Sequence, residues 1–284
     1  MKLIFSFHIL RTSLLLGAAV VSSSLSASAA DPVRIVLQNG RGVQISALSL
    51  QGENLVLKTA SDGFNAGQLL PLGSASHVFG ERPPELNAGI ALLLLGKPGD
   101  ALKLLEPILA EHGVTSSIPG NFWLETARAA LVAYAVEGNS PKCTEMGKAL
   151  SDATPMPGTD PFVMLGRALL MPPTTAAVER ETALRDLTTD NLPADVCAYA
   201  SIYRANLLKT LKRDTEALEA YLMVPGLFPS GGMILNAFAE FNAGGILVEL
   251  GRKDEAAMLL KSAIRGSGST LITAEANKRL ESVK

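Results

Sequence analysis

The apolar residues of this chain follow one period and then another. From Pro32 to about Glu81 they alternate with polar ones, in "VRIVLQ" (33–38), "VQISALSLQ" (43–51), "LVLKTA" (55–60), "QLLPLG" (68–73) and "SHVFG" (76–80). Period two marks half-buried strands. The intervening "NGRG", "GEN" and "SDGFNAG" are rich in the residues that tight turns favour. Five short β-rich runs predict a small, strongly bent barrel or half-barrel. From Pro84 the apolar spacing becomes three and four. "ELNAGIALLLLG" (85–96), "ALKLLEPILAEH" (101–112), "FWLETARAALVAYAVEG" (122–138) and "SPKCTEMGKALSDA" (140–153) predict two successive helix pairs. The layout returns near 194–226 and at 237–264, and 160–190 fits a degraded pair broken at Pro172-Pro173. "TLITAEANKRLESVK" (270–284) predicts a last, capping helix.

The pairs share more than their period. "LLGKPGDALKLLEPIL" (94–109) and "ELGRKDEAAMLLKSAI" (249–264) each place a Gly before a polar stretch, then a small Ala, then a Leu four residues on. Small residues recur in the middle of the first helix (Gly89, Ala205, Gly244) and early in the second (Ala101, Cys143, Ala217, Ala256). Larger ones follow the latter in three pairs, at Leu105, Tyr221 and Leu260, and Gly96, Gly138 and Gly251 end first helices. A small residue lets two helix backbones approach, and the larger one fills the space between pairs. One pair cannot bury its own apolar face, so pairs must stack.

On these residues the chain resembles the tetratricopeptide (TPR) repeat proteins, whose unit is an antiparallel helix pair of about 34 residues. The resemblance implies a mainly α fold, an α-solenoid of helical hairpins. The β segment resembles SH3-like and Sm-like small barrels. Three departures stand out. The spacings are longer and less regular, Leu131 occupies a small-residue position, and Pro107 lies inside a predicted helix, where it would kink it.

The first residues belong to neither pattern. Lys2 and Arg11 precede the apolar "SLLLGAAVV" (13–21), and "SASAA" (26–30) supplies small residues for cleavage. This is the layout of a secretory signal peptide, cut before Ala30 (after Ala29) or before Asp31. The expected division is a signal peptide at 1–30, a small β module at 31–82 and a helical repeat domain at 83–284, of about five pairs plus a cap. The destination is periplasmic or secreted, with no stable membrane insertion after cleavage. Without Lys2 and Arg11 the chain carries 23 basic and 27 acidic residues. That balance gives no basic stripe of the kind nucleic-acid binders use. Cys143 and Cys197 are the only cysteines. In an oxidising compartment they could pair, but their predicted helices belong to non-adjacent repeats, which favours buried free thiols.

Motifs of known chemistry are few. Gly40-Arg41-Gly42 follows a strand, yet Ile45 stands where a dinucleotide fingerprint needs its third Gly, so the stretch reads as a hairpin turn. His77 and His112 lie in no metal-ligand spacing, and His112 follows the last turn of a helix, where a cation suits the dipole. No catalytic residue, metal or cofactor is expected. In TPR proteins the first helices of the pairs line a concave groove that takes peptides or protein segments. The resemblance puts Glu125, Arg128, Tyr199, Ile202, Asn206, Phe238 and Phe241 there. Equally, Tyr199, Phe238 and Phe241 could pack between neighbouring first helices. Ile202 replaces a lysine of the family's carboxylate clamp, so that specificity is not implied.

Two functions fit: a non-catalytic interaction scaffold that holds a protein segment in the groove, or a structural part of an envelope assembly acting through its convex face or the β module. N-terminal sequencing of exported material should return Ala30 or Asp31 as the first residue; recovery of Met1 would refute cleavage.

Overall fold

The computed structural model describes residues 32–154 and 158–283; the expected cleavage site at Ala29 and Ala30 lies outside them. Six short strands come first: β1 (Arg34–Leu37), β2 (Gly42–Gln44), β3 (Leu48–Gln51), β4 (Asn54–Leu57), β5 (Leu69–Pro71) and β6 (Ala75–Phe79). They form two three-stranded antiparallel sheets, ordered β2-β1-β6 and β3-β4-β5. The apolar run at 43–51 is therefore two strands rather than one. A 3-10 turn at Ile45–Ala47 separates them, because Val43 pairs in the first sheet and Leu48 in the second. Gly40, at φ +81°, closes the β1–β2 hairpin, as expected of the Gly-Arg-Gly stretch. Ile35, Val43, Leu55, Leu57 and Leu70 fill the space between the sheets.

Ile118, from far outside the strands, is buried in that same core. It belongs to the connection between the first two helix pairs. The backbone N–H of Val78 in β6 donates to the carbonyl of Pro119 at 2.9 Å, so this connection also satisfies a strand edge. Gly120 lies against the same edge at φ +76°, and a Cβ there would sit 3.1 Å from the Val78 carbonyl oxygen.

Eleven α-helices follow among the described residues. They are α1 (Pro84–Leu94), α2 (Pro98–His112), α3 (Trp123–Val136), α4 (Ser140–Ala153), α5 (Pro161–Leu169), α6 (Ala177–Arg185), α7 (Ala194–Thr210), α8 (Asp214–Leu227), α9 (Met233–Glu249), α10 (Lys253–Gly266) and α11 (Leu271–Glu281). Helix α2 continues through Pro107 as one element. None of the helices is long and apolar enough to cross a membrane.

Consecutive helices pack in pairs, and the repeated spacing has a direct physical counterpart. A Cβ at Gly89 would lie 2.7 Å from Leu105 and 3.5 Å from the Ala101 carbonyl. A Cβ at Gly244 would lie 3.0 Å from Leu260 and 3.4 Å from the Ala256 carbonyl. The same three positions thus meet in the first and fifth pairs. Leu131 breaks the rule because its neighbours make room for it. It packs against Gly166 of α5 and Gly147 of α4, where added Cβ atoms would lie 2.9 and 3.8 Å from it. Cys143 and Cys197 are buried free thiols.

The first helices end alike. Gly96, Gly138 and Gly251 adopt φ of +77°, +75° and +75°, and the next N–H of each turn bonds back to a carbonyl of the last helical turn. The fourth pair makes the same turn with a lysine, Lys212, at φ +61°. The short third pair is fastened by charge. Glu181 on α6, 6% exposed, accepts from Arg204 on α7 at 3.0 Å and Arg213 at 2.8 Å. Burial pushes this carboxyl's pKa up, but the hydrogen bonds from Arg213 and Arg204 outweigh it and hold the group below its ordinary range.

The array meets itself. Helix α1 packs against α3, α9 and α11, while α7 packs against α5 and α9. The first helices of the pairs therefore surround a shared interior, with the first of them touching the last.

Two substitutions test the backbone argument. Lys212→Gly removes a side chain from a left-handed turn and should raise stability by about 1 kcal/mol. Gly244→Val should overpack the α9–α10 crossing and lower stability by about 1–3 kcal/mol. Both are read from denaturant unfolding.

Candidate functional site: a polar recess at the helix starts

Closure of the array decides what the expected groove residues do. Ile202 is fully buried, and Phe238 and Phe241 are 4% and 5% exposed. The aromatic strip expected on an open concave face is instead interior, because α1 and α11 cover the face of α9. Phe238 and Phe241 lie ring to ring at 6.4 Å, tilted by 50°. Arg279 of α11 sits 4.1 Å over the Phe241 ring and donates to its carbonyl oxygen at 3.1 Å. Asn206 accepts a hydrogen bond from the Tyr221 hydroxyl and lines a smaller cleft with Tyr203. The packing alternative left open for these aromatic rings therefore describes them: Phe238 and Phe241 leave the site, and Tyr199, edge-on to Phe162 at 6.0 Å, is packed as well but also borders a recess.

Glu125, Arg128 and Tyr199 have a different place. They line a recess of about 520 Å³ where the opening turns of α1, α3, α7 and α9 converge. That volume lies within the range of pockets that hold small ligands. Its remaining walls are Arg82, Asn87, Ile90, Ala194, Asp195 and the stretch Ser230 to Leu235.

Two ion pairs stitch the recess together. Arg82, just before α1, grips Glu125 of α3 with both terminal nitrogens, at 2.5 and 2.6 Å, and its Nε donates to Asn87 at 2.9 Å. Arg128, one turn further along α3, donates to Asp195 at the start of α7 at 2.6 Å. The two-nitrogen grip fixes orientation as well as distance. Burial pushes the Asp195 carboxyl's pKa up, against the opposing pull of Arg128. The Arg128 guanidinium also faces the Phe162 ring at 5.0 Å, and its buried Nε has no partner among the described residues.

Tyr199 is 3% exposed yet lines the recess, with Glu125, Asp195 and Arg82 close enough to bias its ionisation. No hydrogen bond from its hydroxyl is found among the described residues. Desolvation, first, then the charges nearby hold the phenol protonated, so at neutral pH it can donate. The fourth wall depends on Gly231, whose Cβ would lie 2.7 Å from the Ala194 carbonyl. Only a residue without a side chain lets the lead-in to α9 close on α7.

His112, read as a cap-region residue beside a helix end, is buried at the last turn of α2, edge-on to Phe122 at 5.8 Å. Desolvation pushes its pKa below the ordinary value, so it is neutral at pH 7. Among the described residues no group of three or more His, Cys, Asp or Glu could hold a metal ion.

Sequence reasoning missed Arg82, Asn87, Asp195 and the Gly231-Gly232 lead-in. Arg82 and Asp195 lie 43 and 67 positions from their partners, beyond any helical spacing rule. The paired glycines ahead of α9 were the available signal, since adjacent glycines before a helix suit a close backbone approach. No family model, curated protein or solved structure matches the chain.

Phe241→Ala distinguishes interior from groove. Deleting this ring should cost about 3–5 kcal/mol of stability. An unchanged melting temperature would return Phe241 to the binding surface.

Proposed function

We propose that the protein is an exported, non-catalytic interaction scaffold of the cell envelope, a TPR-like array that takes a peptide or protein segment of a partner. Contact is made at the recess of Arg82, Glu125, Arg128, Asp195 and Tyr199. Export is supported by the N-terminal charge, apolar run and small-residue site in 1–30. The TPR-like reading is supported by the matched crossings at Gly89 and Gly244 and the four like helix ends.

The observation that carries the binding proposal is convergence. Four helix starts from distant parts of the chain enclose one opening whose wall is both charged and apolar. Ile90 and Ile234 offer hydrocarbon, the two arginines offer hydrogen-bond donors, and Met233 stands 58% exposed at the rim. A few polar groups on an apolar wall fix the orientation of a bound group while burial supplies affinity.

Site-specific photo-cross-linking in the producing cell tests this. A photoreactive residue replacing Met233 should give a discrete adduct with a partner protein. The same residue replacing Met258, 71% exposed on α10, or Phe79, 61% exposed on β6, should give none. Adducts from Met258 or Phe79 alone would support the structural-assembly function instead.

A further inference from the structure

We infer that the recess selects a carboxylate side chain, so that the bound segment is acidic; this rests on the recess being the partner site. The argument is an inventory of donors and acceptors. Every carboxylate oxygen in the wall is already engaged. Those of Glu125 take the two Arg82 nitrogens, and those of Asp195 take Arg128 Nη1 and the Val196 backbone N–H, the latter at 3.0 Å. The Asn87 carbonyl oxygen takes Arg82 Nε.

Donors, by contrast, are in surplus. A guanidinium has five N–H groups. Arg82 uses three on Glu125 and Asn87, and Arg128 spends one on Asp195 while its Nε goes unmatched. The Tyr199 hydroxyl adds a donor with no acceptor among the described residues. Neither α7 nor α9 has an N-cap side chain at the recess; the Val196 N–H of α7 is taken by Asp195, and the first-turn N–H groups of α9 have no side-chain acceptor among the described residues.

A cationic ligand would have to share carboxylate oxygens that already accept from an arginine or a backbone N–H, and would sit against the two guanidinium groups of the same wall. An oxyanion needs no sharing: it can accept from the spare terminal N–H groups of Arg82 and Arg128 and from the Tyr199 hydroxyl. The formal charges of the wall cancel, two arginines against two carboxylates, so the arriving carboxylate meets no net repulsion. A side chain is favoured over a chain end by the rim. Met233 is exposed there and Arg82 and Glu125 are part-exposed, so a continuous segment can cross the mouth and lower one side chain into it.

The test uses the full mature chain and labelled capped hexapeptides of alternating alanine with glutamate, glutamine or lysine, plus hexa-alanine with a free C-terminus. The glutamate peptide should bind by fluorescence anisotropy at least tenfold more tightly than each of the others. Tyr199→Phe should weaken the glutamate peptide about tenfold. Its melting temperature should be unchanged, because the lost hydroxyl has no partner among the described residues. Ser230→Trp, at the rim, should block binding.

Equal affinity for glutamate and glutamine peptides, still blocked by Ser230→Trp, would overturn the acidic preference and leave the recess as a partner site. Hexa-alanine binding as tightly as the glutamate peptide would overturn the side-chain source in favour of a chain end. Glutamate binding unaffected by Tyr199→Phe and Ser230→Trp would overturn both the inference and the recess. Absence of binding by all four peptides would overturn the acidic preference, with the Met233 cross-link deciding the recess separately.

Discussion

Leu105 rests on Gly89, and Leu260 rests on Gly244. In each case one helix uses its bare backbone as the surface on which its neighbour's side chain sits. The rest of the helical region follows from that approach. A small residue at the crossing brings two axes together, and the bulky residue beyond it becomes a spacer. Glycine weakens a helix by about 1 kcal/mol relative to alanine; close packing across the crossing offsets the loss. Where a large residue intrudes, at Leu131, the accommodation moves to Gly147 and Gly166.

Tight crossings have a second effect, on the interior. The first helices of the pairs come close enough for α1 to meet α9 and α11, and their aromatic residues become filling. What stays open is one end, where helix starts rather than helix faces form the wall. The chemistry changes accordingly. Helix faces in this chain present Ile202, Phe238 and Phe241; helix starts present Arg82, Glu125, Arg128 and Asp195. A chain that packs its apolar faces inward leaves its charged ends open.

Much of this was legible in the residues, for local reasons. The change of period at Pro84, the small–large spacing and the glycine helix ends are set by neighbours within one pair, and one pair is short. The break of the 43–51 run was not legible, because alternation is blind to which sheet a residue joins. Nor was the interior. The spacing of Phe238 and Phe241 says that they share a face, and cannot say whether another helix lies over it. That depends on Arg279 and α11. Glu125 and Arg128 still border an opening, since they point toward neighbouring first helices whether or not the array closes. Their partners Arg82 and Asp195 were invisible, being joined to them only by the tertiary fold.

Ile118 carries a consequence for how the molecule is made. Residues 32–81 supply six strands, but the core between the sheets includes a side chain from beyond α2, and a strand edge is completed by Pro119. A chain emerging from its amino end therefore presents the strands before it can finish their interior. The β segment must wait for the first helix pair to pass before it closes. Its boundary in space is not its boundary in the chain, and a fragment cut at Arg82 carries a hole where a helix connection belongs.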